Sequence, residues 1–475
     1  MAEHSADAIV DQVVPEFERH VVQTMADQRV VGLSIGIVRD QELTWSGGFG
    51  WSDLDDPGPP DDRTLYRVDS NTKTVTGTAI MQLRDDGKLG LDDPLVEHIP
   101  EFANADIRFG TIEDVTLRRL LTHRSGLNGE VPGDWPYTGV GPSMSEVLSR
   151  LDECAVVIPP DSQHKYCNLG FVLLGATIER VTGGSYEDYV RANILDALAM
   201  TQSTFEPESS ELRRAGQFQG PLWDARPADA LQLTHNGRNP AGGLYSNVSE
   251  MAKWVSQQFR AERGTERGPG QVLAGTSIEE MHRPQYVEAN WKEGQCLAWR
   301  AVRSGEHVYL GHGGGNPGSL SYTLFNTQSK TGVVVLTNSD AHTAQLSLAK
   351  DALDRLMAAE AAQPKAFPIR PPQPMPEALE PLIGRYESVR GAIARIVWVD
   401  NQAVFLGAGA GIPRDLTPNV DGVQCFVDTT DDPHVLIARG GRPAGETLTF
   451  EMGDDGVPLS FRMQSGAVYH RLERR

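Results

Sequence analysis

The residues that could do chemistry together begin with a serine and a lysine three positions apart. In Thr64-Leu65-Tyr66-Arg67-Val68-Asp69-Ser70-Asn71-Thr72-Lys73-Thr74-Val75-Thr76-Gly77, Ser70 and Lys73 form a Ser-x-x-Lys. A helix beginning at Ser70 puts the two on one face, a turn apart. A serine hydroxyl is a poor nucleophile until a neighbouring base takes its proton. Lysine serves as that base only if burial or nearby positive charge lowers its pKa. The run Ala79-Ile80-Met81-Gln82-Leu83 that follows reads as a mostly apolar helix. Such a helix buries Lys73 and holds Ser70 at its N-terminus, where the backbone field favours developing negative charge. About one Ser-x-x-Lys is expected by chance at this length and composition, so the motif alone is weak. A second one, Ser347-Leu348-Ala349-Lys350, has no tyrosine or histidine motif after it and reads as a helix face with a solvated lysine.

Two further stretches strengthen the case for Ser70. His164-Lys165-Tyr166-Cys167-Asn168-Leu169-Gly170 contains a Tyr-x-Asn. A tyrosine near a lysine can relay a proton, first as base and then as acid. Asn168 would hydrogen-bond a substrate amide while helping to hold the lysine. A rival Tyr-x-Asn, Tyr245-Ser246-Asn247, runs into Ser249 and Glu250 and reads better as a helix start. Gly311-His312-Gly313-Gly314-Gly315-Asn316-Pro317-Gly318 follows a strand pattern. Glycines at 313, 314 and 315 let a substrate backbone approach, and a free backbone N–H there can face an oxyanion. His312 would act as a donor that steadies the tyrosine or the substrate. Gly32-Leu33-Ser34-Ile35-Gly36 matches the Gly-x-Ser-x-Gly of a nucleophile elbow, but Ser34 lies inside a continuing strand pattern, Val31 to Val38, with no helix after it.

The elements that must position these residues come in a consistent order. A helix is predicted over 5–26, then strands over Val30 to Val38 and Glu42 to Gly50. Mainly helical sequence with long loops follows, with helices at Leu117–Leu121, Met144–Cys154, Gly170–Val181, Tyr186–Leu198 and Ser249–Phe259. Strand patterns return at 296–303, 307–312, 319–326 and 332–338, and a helix runs from about His342 to Ala361. Residues 362–378 form a proline-rich linker, and residues 379–475 hold seven or eight short alternating runs, the pattern of a small antiparallel barrel or sandwich.

Composition bounds the function. The 475 residues carry a formal net charge of −21, which disfavours nucleic acid and anionic membranes. Four scattered cysteines fit a reducing compartment. The first twenty residues lack the basic start and apolar run of a secretory signal, and no apolar stretch is long enough to span a bilayer, so a cytoplasmic protein is expected. No cofactor and no metal are implied: there is no His-Glu-x-x-His, and His123 and His312 lack ligand spacing. His123 reads as a structural hydrogen-bonding residue and Cys167 as a packed thiol.

In this order and spacing, Ser70-Asn-Thr-Lys73, Tyr166-Cys-Asn168 and His312-Gly-Gly314 resemble the serine beta-lactamase and penicillin-binding-protein superfamily, in its class C and D-aminopeptidase-like branch. Gly87-Lys88-Leu89-Gly90-Leu91-Asp92-Asp93-Pro94, Leu120-Leu121-Thr122-His123-Arg124-Ser125-Gly126-Leu127 and Ala241-Gly242-Gly243-Leu244-Tyr245-Ser246 agree with it. The resemblance implies an α+β fold over residues 1–361: an antiparallel sheet flanked by terminal helices, with an inserted helical domain and the cleft between them. It also implies Ser70 as the acylated nucleophile, Lys73 and Tyr166 sharing the base role, and Asn168 with Gly313 to Gly315 binding substrate. Backbone N–H groups of Ser70 and Gly315 would form the oxyanion hole. His312 stands where beta-lactamases and most penicillin-binding proteins carry lysine, a departure typical of esterase and D-peptidase members that argues against lactam hydrolysis.

Residues 379–475 resemble the lipocalin-like barrel appended to some of these enzymes, with Ile383-Gly384-Arg385-Tyr386 as its opening. The implied activity is acyl transfer from a peptide-like ester, thioester or amide with a D-configured residue, to water or an amine. D-stereospecific peptidases and esterases act so, as do stand-alone peptide-cyclising thioesterases, whose substrates arrive on carrier proteins. The alternative is an inactive peptide sensor of the same fold, which complete retention of the serine, lysine, tyrosine and histidine motifs argues against. All these motifs lie before residue 320, so the barrel is expected to shape the cleft without carrying the chemistry.

Overall fold

Alternating apolar residues near the N-terminus and again beyond residue 300 pair into one sheet, although more than two hundred residues of chain separate them. The computed structural model describes residues 7–472, apart from 56–57, 134–140, 211, 221, 228–235, 262–263, 265, 269, 364–372, 408–417 and 419–421. The sheet strands are β1 (Gly32–Arg39), β2 (Glu42–Gly50), β3 (Tyr286–Val287), β4 (Glu293–Gln295), β5 (Arg300–Ser304), β6 (His307–Asn316), β7 (Ser319–Asn326) and β8 (Thr331–Thr337). Their spatial order is β2-β1-β8-β7-β6-β5-β4-β3, antiparallel throughout. The β1–β8 pair, Leu33 opposite Thr337 to Arg39 opposite Thr331, is what joins the two ends of the sheet-forming sequence.

Both faces of β8 are buried, and the period of two divides its residues between two cores. Val333 and Val335 join Leu33, Ile35 and Ile37 beneath α1 (Ala8–Gln28) and the C-terminal helix Ala344–Ala362, which supply Val10, Phe17, Val21, Leu348, Leu353 and Leu356. Val334 and Leu336 face the inserted helical region. Its centre is α2 (Thr72–Asp85), preceded by a 3-10 turn at Asp69–Asn71 and buried on every side from Thr72 to Leu83. Polar groups along it are paired: Thr76 Oγ1 with Pro240 O at 2.7 Å and with Tyr186 Oη at 2.8 Å, and Thr74 Oγ1 with the Trp254 indole N–H at 3.1 Å. Against α2 packs α3 (Asn168–Thr182), buried from Leu169 to Ile178.

The structure departs from the sequence reading in several places. The α-helix begins at Thr72, not Ser70, because the first turn is closed by 3-10 bonds, the Asn71 N–H on Val68 O at 3.1 Å and the Thr72 N–H on Asp69 O. The expected helix Met144–Cys154 stops at Ser149 and continues as a 3-10 turn, and Tyr186–Leu198 passes into a π-turn at Arg191–Leu195. Strands β3 and β4 are too short to leave a pattern. The expected strand 296–303 begins only at Arg300, since Ala298 has φ 59° and the Cys296 N–H turns back to Trp299 O at 2.8 Å. Ser34 is buried in β1, where its hydroxyl donates to Asp61 O at 2.8 Å. Lys350 pairs with Asp354 on the surface of the C-terminal helix.

The chain divides into two compact units, 1–363 and 364–475. Residues 364–372 of the proline-rich stretch lie outside the described residues. In the second unit, eight antiparallel strands from Gly384–Ser388 to Val468–Arg471 form a closed barrel, sealed where Tyr386 pairs with Arg471. Its interior is filled by rings: Phe461 lies 4.9 Å from Tyr386 and 4.8 Å from Tyr469. Among the described residues no helix is long and apolar enough to cross a membrane.

Phe17 is fully buried between α1 and the sheet, with its ring 6.0 Å from Trp45. Phe17→Ala is expected to destabilise this unit by about 3–5 kcal/mol, the usual cost of emptying such a site. Guanidinium unfolding followed by tryptophan fluorescence checks it.

Candidate active site

The 3-10 turn at Asp69–Asn71 runs straight into α2, so Ser70 and Lys73 still meet. Lys73 Nζ lies 2.9 Å from Ser70 Oγ and 2.5 Å from Ala241 O. Tyr166, in the segment leading into α3, donates its hydroxyl to Ser70 Oγ at 2.9 Å. The structure thus brings Ser70, Lys73 and Tyr166 to one point from segments far apart in sequence. Tyr245 does not join them: its ring is buried beneath Arg67, and Asn247 caps the helix Val248–Gln258 by accepting the Glu250 N–H.

Lys73 is completely buried. Burial disfavours its ammonium form and pulls its pKa down to about 7, helped by Arg238 and opposed by Glu130 and Asp69. An amine at that value is substantially neutral at physiological pH and has a lone pair to offer. Tyr166 is 41% exposed, but the desolvation of its phenol by the surrounding wall pushes its pKa the other way, upward, so it stays protonated at rest. Lys73 Nζ lies 5.0 Å from the centroid of the Tyr166 ring, close enough for its cationic form to stabilise charge there.

His312 on β6 is buried, and burial lowers its pKa to about 3, so it is neutral. Its Nδ1 lies 2.6 Å from Gly313 O. A carbonyl only accepts, so Nδ1 carries the proton and Nε2 is left as an acceptor. This differs from the donor role expected for His312, because the one proton of the neutral ring is spent on its own strand. Asn168 also differs in part. Its side-chain amide donates to Glu130 at 2.7 Å, and the lysine is steadied instead by Ala241 O.

A cavity of about 390 Å³ opens over Ser70, lined by Tyr166, Asn168, His312, Gly313 and Gly315. Gly314 faces elsewhere. A Cβ there would lie 2.4 Å from Val68 O and from Ser321 Oγ, and 2.8 Å from Asp69 Cβ, so its lack of a side chain lets β6 rest on the turn that carries Ser70. A Cβ on Gly315 would meet only the end of Leu320, at 3.0 Å.

Sequence reasoning missed the rest of the wall, formed by His123, His164, Gln295, Arg300 and Tyr322. Gln295 and Arg300 come from β4 and β5, whose pattern carries no sign of a site. His123, with φ 55°, accepts the Cys167 N–H at Nδ1, 3.1 Å away, and supports the Tyr166 ring at 4.4 Å between centroids. Its Nε2 is buried with no hydrogen-bond partner among the described residues. Cys167 is buried, and its thiol is pushed up to about 12, far from a nucleophilic thiolate. Among the described residues no group of three His, Cys, Asp or Glu side chains is placed to hold a metal ion.

The two glycines separate packing from binding. Gly314→Ala is expected to cut kcat/KM by at least about a hundredfold, the scale of a 1 Å misplacement of reacting groups. Gly315→Ala is expected to act mainly on KM. Steady-state kinetics with p-nitrophenyl acetate checks both.

Comparison with known proteins agrees with this geometry. The family model described as Beta-lactamase matches residues 17–356. Penicillin-binding protein 4 of Amycolatopsis lactamdurans is 29% identical over 345 residues, 69% of this chain and 86% of that protein. Beta-lactamase-like protein 2 of Dictyostelium discoideum is 30% identical over 286 residues, 58% of this chain, which spans only 50% of that relative's length. The octameric penicillin-binding protein homologue from Pyrococcus abyssi superposes with a TM-score of 0.62 at 25% identity, over 96% of this chain and 99% of that one. A D-stereospecific amidohydrolase from Streptomyces sp. superposes at 0.58 and 21% identity, over 71% and 97%. SurE with D-Leu superposes at 0.56 and 21% identity, over 98% and 100%. With a family match over most of its length and a serine, lysine and tyrosine joined at the cleft, the chain belongs to the beta-lactamase family.

Proposed function

We propose that the protein is a serine acyl-transfer enzyme that forms an acyl-enzyme on Ser70. The observation that carries this reading is the pair of 2.9 Å contacts that Ser70 Oγ makes with Lys73 and Tyr166, together with a lysine whose burial leaves it largely neutral. Neutral Lys73 accepts the Ser70 proton while its own N–H stays on Ala241 O. Oγ attacks the acyl carbon, and the oxyanion is met by the backbone N–H groups of Ser70 and Gly315. As Oγ becomes bonded to carbon, the Tyr166 hydroxyl is released from it and protonates the leaving group. The Lys73 ammonium then returns a proton to Tyr166, which restores both groups. Water or an amine discharges the acyl-enzyme by the reverse path. This serves an active enzyme; an inactive sensor would have no need of a lysine held neutral beside a serine.

The acyl donor in this reading is a peptide-like ester, thioester or amide with a D-configured residue, free or delivered on a carrier protein. The fold it shares with a D-stereospecific amidohydrolase and with SurE, solved with D-Leu, supports the stereochemical preference. His312 as a neutral acceptor, in place of a cationic lysine, supports peptide esters and amides over lactams.

A fluorophosphonate should label Ser70. Ser70→Ala should abolish labelling, while Ser34→Ala and Ser347→Ala should not; peptide mapping of the label to Ser34 would overturn the assignment. Lys73→Ala and Tyr166→Phe should each slow acylation by at least about a hundredfold, the scale of a lost general base, with Tyr245→Phe near wild type. The base form of Lys73 dominates above about pH 7, so kcat/KM should be level there and fall as the pH drops below it. A profile flat into mildly acidic pH would contradict a lysine base.

A further inference from the structure

Asp69, directly before the nucleophile, is 1% exposed and holds φ 48°, a conformation that Asp tolerates better than most residues. Its carboxylate accepts from Asn316 Nδ2 at 2.7 Å and from Ser319 Oγ at 2.9 Å, and lies 3.2 Å from Arg67 Nε. Asn316 and Ser319 face each other at the tip of the β6–β7 hairpin. One carboxylate therefore joins the residue before Ser70 to the residue after Gly315. Two further bonds tie the same turn to β7: Asn71 Nδ2 to Ser321 Oγ at 2.8 Å, and Ser321 Oγ to Val68 O at 2.8 Å. Asn316 brings β6 into this network through Asp69. The backbone O of Asp69 also accepts the Thr72 hydroxyl at 2.6 Å, which fixes the turn to the start of α2.

We propose that Asp69 is a positioning residue that sets the spacing between the backbone N–H groups of Ser70 and Gly315, acting through Asn316 and Ser319. The proposal rests on the reading of those two groups as an oxyanion hole. A buried carboxylate suits the task, because Asn316 donates to one of its oxygens and Ser319 to the other, so losing either takes a hydrogen bond from a buried acceptor and the geometry loosens. Its charge has a second effect. Burial raises the Asp69 carboxyl pKa to about 6, so it is ionised where Lys73 titrates, and Arg67 of the strand Tyr66–Arg67 opposes that rise. With Glu130 and Cys167, and against Arg238, the Asp69 field favours the ammonium form of Lys73. Asp69 thus holds the lysine pKa up while burial pulls it down.

The test uses the full chain with p-nitrophenyl acetate turnover and fluorophosphonate labelling, folding being checked by circular dichroism. Asp69→Asn should lower kcat by about a hundredfold, the scale of misplaced reacting groups, with KM little changed. It should also move the acid limb of kcat/KM to lower pH, since Lys73 loses a neighbouring negative charge; a role in folding alone would leave that limb in place. Asn316→Ala should lower kcat in the same direction, and the double variant should lose no more than the worse single one, because both break one link. Unchanged kcat and acid limb in Asp69→Asn, or full multiplication of the two losses, would overturn the proposal. Should Asp69→Asn fail to fold, Asn316→Ala and Ser319→Ala carry the test, and wild-type kcat in both would overturn it. Absence of label on wild-type Ser70 would defeat the acyl-enzyme reading itself. A labelled Ser70 with an indifferent Asp69 defeats only this inference.

Discussion

The rest of the structure depends on the burial of one amine. Lys73 has no exposed surface, and an ammonium group in such a place loses its hydration. Without full compensation by a carboxylate contact, the group responds by giving up its proton near neutral pH. Everything around it serves that balance. A helix buried on all sides carries the lysine, Ala241 O takes one N–H, and the negative groups nearby, Glu130 and Asp69, act at longer range rather than through a direct salt bridge. A close ion pair would have fixed the charge and removed the base.

The sheet and the inserted helices are the means of closing this arrangement. The β1–β8 pairing brings the two ends of the first unit's sheet-forming sequence together, and β6 can then lie on the turn that carries Ser70 only because Gly314 has no side chain. From the other side, the segment before α3 places the Tyr166 hydroxyl on the same oxygen that the lysine reaches. Ser70, Lys73 and Tyr166 thus sit on, or directly beside, elements held by one core, that of α2 and α3.

Much of this was legible in the chain. Ser70 with Lys73, Tyr166 with Asn168, and His312 with its glycines carry spacing that local chemistry explains, and the long amphipathic helices and alternating strands follow from periodicity. What was not legible has a physical reason in each case. The 3-10 closure of Asp69–Asn71 shifts the start of the α-helix by two residues and leaves no trace in a pattern of apolar positions. Arg300 and Gln295 reach the cavity from short strands whose sequence resembles any surface hairpin. The tautomer of His312 depends on a carbonyl of its own strand, and the partner of Lys73 is a backbone oxygen at Ala241, which no residue type announces. The Ala241-Gly242-Gly243-Leu244 stretch stood out as a signature, but its task became visible only in three dimensions.

The most direct test of the central claim is the titration of Lys73 itself. In protein labelled with carbon-13 at the lysine ε position, the Lys73 resonance, assigned by its loss in Lys73→Arg, should titrate with a pKa near 7. A resonance that stays in its ammonium position up to the ordinary lysine range would contradict the account, because Ser70 would then have no base beside it.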